Sequence, residues 1–154
     1  MLQKERETTS SSRRQQNGEA VICHTDAAWE KERKRAGLAW TFSGSSPPIV
    51  WEETRVEEFV GSPLVAEAMA VRAALSKAVE LEIADLRIHT DCLTLLGAIT
   101  GKSQRKEIIG IVSDIRSISS AFASILFLHI ARSKNSNCDR LAKAALHHRV
   151  LNLG

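Results

Sequence analysis

The 154-residue sequence predicts an α/β domain in which a mixed five-stranded sheet carries helices on its faces, in the order βββαβααβα. Three observations predict it. Three short apolar and β-branched runs come first, separated by turn-forming residues. From Pro63 the apolar residues recur at three- and four-residue steps, the period of a helix. Thereafter helical and extended segments alternate, which implies strands returning in parallel through helical connections.

The opening segment, MLQKERETTSSSRRQQNG, has too little apolar surface to offset chain entropy. It predicts a disordered polar tail over residues 1–18, with the folded domain over residues 19–150. AVICHT is the first strand, KERKRAG a charged turn and LAWTFS the second strand. SGSSPP then turns into IVWEETRV, so that three strands follow one another as hairpins. Leu64, Ala68, Val71 and Leu75 mark the first helix, with Pro63 near its start where a missing N–H costs nothing. LRIHT is a fourth strand and Asp91–Ile99 a helix ending near Gly101. EIIGIVSDIRSISSAF is a third helix, SILFLHI the last strand, and Asn135–Arg149 a closing helix with Leu141, Ala142, Ala145 and Leu146 on one face.

The length fits one domain, and 44% apolar residues is ordinary for a globular chain. Of the formal charge of +3, the tail supplies +2, from Lys4, Arg6, Arg13 and Arg14 against Glu5 and Glu7, leaving the body at +1. A near-neutral body excludes coating of nucleic acid by bulk charge, which needs many cationic contacts to phosphate. Cys23, Cys92 and Cys138 form no pair at metal or redox spacing, so neither a disulfide framework nor a structural zinc site is expected. Ala121–Leu128 is too short to span a bilayer and no secretory signal is recognisable, which predicts an intracellular protein, cytoplasmic or nuclear, with no membrane association.

Two copies of His-Thr-Asp, in ICHTDAAW and RIHTDCLT, each close an apolar run. Strands that end side by side would bring Asp26 and Asp91 together at the switch point of the sheet, where open α/β sheets bind ligands. Glu67, one turn into the first helix, and Asp139, near the start of the last, can converge on the same place. Any one of these acids is ordinary as a surface charge, and Asp91 and Asp139 suit helix caps. Together they would repel unless a hard, oxygen-seeking divalent cation such as Mg²⁺ or Mn²⁺ neutralises them.

HTDAAW, AEAMAVRAAL, IHTDCLTLL and NSNCDRLAKAAL resemble, in order and spacing, the four active-site blocks of the type I ribonuclease H domain, in its plant reverse-transcriptase-like, retroelement-related branch. The resemblance covers about residues 20–147. It implies the ribonuclease H-like fold and metal-dependent endonucleolytic cleavage of the RNA strand of RNA–DNA hybrids. It further implies two Mg²⁺ (or Mn²⁺) ions held by Asp26, Glu67, Asp91 and Asp139. The partner would be the hybrid itself, bound by a monomer without a small-molecule cofactor.

Other residues take their roles from the same resemblance. Many members carry a histidine before the last aspartate, and His129 has that spacing but reads as a strand residue. Arg132, seven residues before Asp139, fits an archaeal-like arginine and is the expected phosphate-facing residue. Asn135 and Asn137 fall where the family has polar residues near substrate, with helix capping as the competing explanation. Ser62 could reach a phosphate or a 2′-hydroxyl. The basic handle of some bacterial relatives is reduced here to Lys102, Arg105 and Lys106, so weak stand-alone affinity follows. His24 and His89 raise the rival of a zinc site with the two aspartates; side-by-side packing is the simpler expectation. A catalytically idle module that binds nucleic acid or a protein is the alternative function, but an idle module need not keep four acids. A 3′–5′ exonuclease is disfavoured by the block pattern.

Overall fold

The structure, a computed structural model, describes residues 19–45 and 48–153. The tail predicted over residues 1–18 lies outside them. The strands are β1 (Val21–Glu30), β2 (Arg35–Ser45), β3 (Pro48–Glu57), β4 (Asp85–Thr90) and β5 (Ser124–His129). The helices are α1 (Pro63–Glu80), α2 (Leu93–Ile99), α3 (Ile109–Ser119) and α4 (Ser136–Leu153), with 3-10 turns at Lys106–Ile108 and Arg132–Lys134. The five strands form one sheet in the order β3-β2-β1-β4-β5. The hairpin pairs are antiparallel, whereas β4 lies parallel to both β1 and β5. The predicted element order is therefore the observed one.

Alternation along β2 explains the layers. Leu38, Trp40 and Phe42 point to one face and are buried in the main core with α1. Gly37 and Ala39 point to the other, where Ala39 packs with Cys138 and Ala142 of α4. Both helices approach closely because the facing residues are small. α1 buries Ala66, Ala68, Ala70, Ala73, Ala74 and Ala78. On the opposite face, a Cβ on Gly37 would stand 2.2 Å from the Ala142 carbonyl oxygen, so α4 can dock only over a glycine.

Several boundaries differ by a few residues from the reading of the sequence, and one of them bears on the site. β1 does not end at Asp26 but continues to Glu30. Its ladder with β4 stops at His24 opposite His89, while its ladder with β2 persists to Glu30 opposite Arg35. Asp26 thus sits on a strand that has already parted from one neighbour. At the same end of the sheet, Val60 N–H donates to the Lys34 carbonyl (2.7 Å) and the Trp29 indole N–H to the Val60 carbonyl (2.8 Å). These bonds tie the β3–α1 loop to the β1–β2 turn and fix where α1 begins. At the other side of the molecule β3 is an edge strand, with Val50 86% exposed. Among the described residues no helix is long and apolar enough to cross a membrane.

Candidate functional site

Asp26, Glu67 and Asp91 come from a strand, a helix and the bend after β4, and each offers a carboxylate oxygen within 4.8 Å of the others'. The parallel register of β1 and β4 brings the two aspartates together, as the repeated tripeptide predicts. Glu67 reaches them because α1 starts at this end of the sheet. The Ser62 hydroxyl caps that start, accepting from Val65 N–H at 3.2 Å, and Pro63 follows it. After β4, the Thr90 hydroxyl accepts from Cys92 N–H at 3.1 Å and bends the chain so that Asp91 precedes α2. Asp91 is therefore not the cap of α2; that position is Cys92, whose side chain makes no capping bond.

The electrostatics are those of crowded acids. Burial first, and the charge of Asp91 second, raise the Asp26 carboxyl to about 6; its bonds to Ala27 N–H (2.9 Å) and Glu67 oppose the rise. Burial, then the charges of Asp26 and Asp91, raise Glu67 to about 9. Without a cation, burial and the neighbouring charges favour the protonated form of Glu67. Glu67 Oε1 is buried with no hydrogen-bond partner. A partnerless oxygen among convergent carboxylates is what a hard cation would satisfy, so the residues fit an oxygen-ligated divalent ion.

Asp139 stands outside this 4.8 Å cluster. Its carboxylate pairs with Lys143 at 3.1 Å, one turn along α4. The i,i+4 spacing of Asp139 and Lys143 was present in the sequence as a signal for this pair. Arg132 lies in the 3-10 turn after β5, 84% exposed, with its guanidinium 3.9 Å from Asp91 Oδ1. His129 is an exposed residue at the end of β5, opposite Thr90, and so belongs to the strand.

The expected substrate residues fall into different settings. Asn137 is exposed, donating to Glu52 (3.1 Å) and accepting from Arg140 (2.6 Å). Ser62 is half-buried and also donates to Glu107 at 3.4 Å. Asn135 departs from the expectation of a substrate-facing loop residue: it is 1% exposed and its amide turns inward, onto the Thr25 carbonyl and Asp91. Nor does its side chain cap α4. The ladder that ends at His24 and His89 leaves a gap between the strands, and Asn135 fills it.

His24 and His89 pack edge to face, with ring centroids 5.2 Å apart. Burial, then its neighbour His89, lowers the pKa of His24. Among the described residues the three-ligand group is the acid triad, which excludes the two histidines, so the zinc alternative has no geometry to stand on.

The architecture is the ribonuclease H fold. It is similar to RNase H1 from the halophilic archaeon Halobacterium salinarum (TM-score 0.77, 22% identity, covering 84% of this chain and 99% of that one). It is equally similar to the N-terminal RNase H domain of a Mycobacterium tuberculosis protein (0.77, 18%, covering 88% and 99%). LC11-RNase H1, isolated from compost and solved with an RNA/DNA hybrid, superposes at 0.75 with 19% identity, covering 84% and 99%. No curated protein sequence matches the chain. Residues 24–145 match the reverse transcriptase-like family, and the chain belongs to that family.

Proposed function

We propose that the chain is a metal-dependent endonuclease that hydrolyses the RNA strand of RNA–DNA hybrids. The observation that carries the proposal is the convergence of Asp26, Glu67 and Asp91 within 4.8 Å at the strand switch point of a ribonuclease H fold. Asp26, Glu67 and Asp91, with Asp139 beside them, would hold two Mg²⁺ or Mn²⁺ ions. The chemistry such ions supply when bound is activation of the attacking water and neutralisation of charge on the leaving 3′ oxygen.

The protein's own groups do the rest. The three carboxylates are carried by β1, α1 and the bend that closes β4, so the fold itself brings them together. Their crowding disfavours the fully ionised state and favours whatever cation relieves it. Arg132 presents an exposed guanidinium at the rim, suited to a substrate phosphate. Ser62 and Asn137 would offer polar atoms to a phosphate or a 2′-hydroxyl. Discrimination for RNA would rest on 2′-hydroxyl contacts across the wide minor groove. LC11-RNase H1 was captured with an RNA/DNA hybrid, which supports the same substrate class here.

The test is cleavage of a labelled hybrid, duplex RNA and single-stranded RNA side by side in Mg²⁺. The expected outcome is metal-dependent cutting of the hybrid's RNA strand alone. Asp26→Asn keeps the size of the side chain and removes one charge, so it should lower the rate by at least about a hundredfold, the scale of losing a charge-stabilising group at a reacting centre, with folding intact. Arg132→Ala should have a smaller effect, on substrate engagement. A folded wild type that binds hybrid without cutting it would favour the idle module, a reading to which the Asp139–Lys143 pair lends itself.

A further inference from the structure

The Asn135 side chain sits where the next rung of the β1–β4 ladder would have been. Pairing ends at His24 opposite His89, and one residue further the Thr25 carbonyl is taken by Asn135 Nδ2 at 2.9 Å. The same nitrogen donates to Asp91 Oδ2 at 3.0 Å. Both partners are acceptors, so the amide orientation is fixed: nitrogen must face them. The main chain of Asn135 is tied in as well, its carbonyl accepting from Asp139 N–H at 3.1 Å. One residue thus connects β1, the bend that carries Asp91 and the first turn of α4. The neighbouring Cys138 thiol, which donates to the His24 carbonyl at 3.3 Å, closes α4 onto the same strand.

We infer that Asn135 is a positioning residue for Asp91: it holds the carboxylate through Oδ2 and leaves Oδ1, which the exposed Arg132 guanidinium approaches only to 3.9 Å, as the oxygen presented to a cation. The inference rests on the metal site proposed above, but assigns Asn135 to that site rather than to substrate. Two features support it over a purely structural role. The Asp91 side chain is 3% exposed, so water cannot orient it from outside. The Asn135 Oδ1 has no protein partner, so both side-chain hydrogen bonds of this buried amide run through Nδ2, one of them to Asp91.

The test is a double-mutant cycle read by calorimetric titration of the whole chain with Mn²⁺, without substrate. Asn135→Ala should weaken Mn²⁺ binding by about 10- to 100-fold, as loss of a ligand-orienting group does. In an Asp91→Asn background the same change should have no further effect, because the group it acts through is gone. A purely structural residue would lower thermal stability and leave the Mn²⁺ affinity of the folded protein unmoved; that result, or additive effects in the cycle, overturns the inference. If Asn135→Ala does not fold, Asn135→Leu fills the same space without the donor and must show the same loss. Wild type that binds no Mn²⁺ sinks the metal site and this inference together. Tight wild-type binding, weakened by Asp91→Asn but unchanged by Asn135→Ala and Asn135→Leu, sinks the inference alone.

Discussion

Asp26 and Glu67 are held where burial and mutual repulsion oppose ionisation, and this couples folding to pH. Both carboxyls are raised on folding, from 3.8 to about 6 and from 4.5 to about 9. The folded chain therefore binds protons more tightly than the unfolded chain. The stability these two groups contribute is fully present below about pH 4 and is lost as pH rises toward 9. In EDTA, the melting temperature should fall between pH 5 and pH 9 by more for the wild type than for Glu67→Gln. Millimolar Mg²⁺ favours the ionised forms, so the increment it adds to Tm should grow over the same interval. A Mg²⁺ increment independent of pH would contradict the carboxylate site. At this scale the sequence was informative about the acids, since Asp91 follows a strand, Glu67 and Asp139 lie near the starts of helices, and the two aspartates repeat a tripeptide. It was silent on Asn135, because the inward turn of that amide depends on where a ladder between distant strands stops.

Elements explain the rest of what was and was not legible. Apolar, β-branched runs between turn residues located the five strands, and helical spacing the four helices, among the described residues, because apolar positions recur where an element packs on its neighbours. The end of β1 was misplaced because the signal taken for a strand end marks only the loss of β4, while β2 carries the strand four residues further. Likewise, nothing local reveals that Gly37 faces α4 rather than a turn. Its replacement is a sharp test of the second helical layer. Gly37→Ala drives a methyl against the Ala142 carbonyl, a backbone atom that cannot swing aside. The expected cost is at least about 2 kcal/mol, read as a drop of several degrees in Tm, whereas Gly110→Ala, in open space on α3, should be neutral or slightly stabilising. Equal behaviour of the two variants would mean that α4 does not dock where described.

For the molecule as a whole, a near-neutral body and three basic residues in the reduced handle leave the proposed affinity for nucleic acid to the site rather than to a charged surface. The same economy of charge bears on solubility. β3 leaves one row of backbone groups unpaired along an edge of the sheet. Its second half is guarded by Glu52, Glu53, Arg55 and Glu57, but its first half, Pro48-Ile49-Val50-Trp51, has only the proline and a Val50 side chain 86% exposed. Edge strands of this kind are where copies of a chain add to one another. With so little net charge to keep molecules apart, concentrated samples should self-associate through this half-strand. Val50→Lys places a charge on it without touching the core, and in light scattering should shift the onset of association to higher protein concentration while leaving Tm and hybrid cleavage as they were.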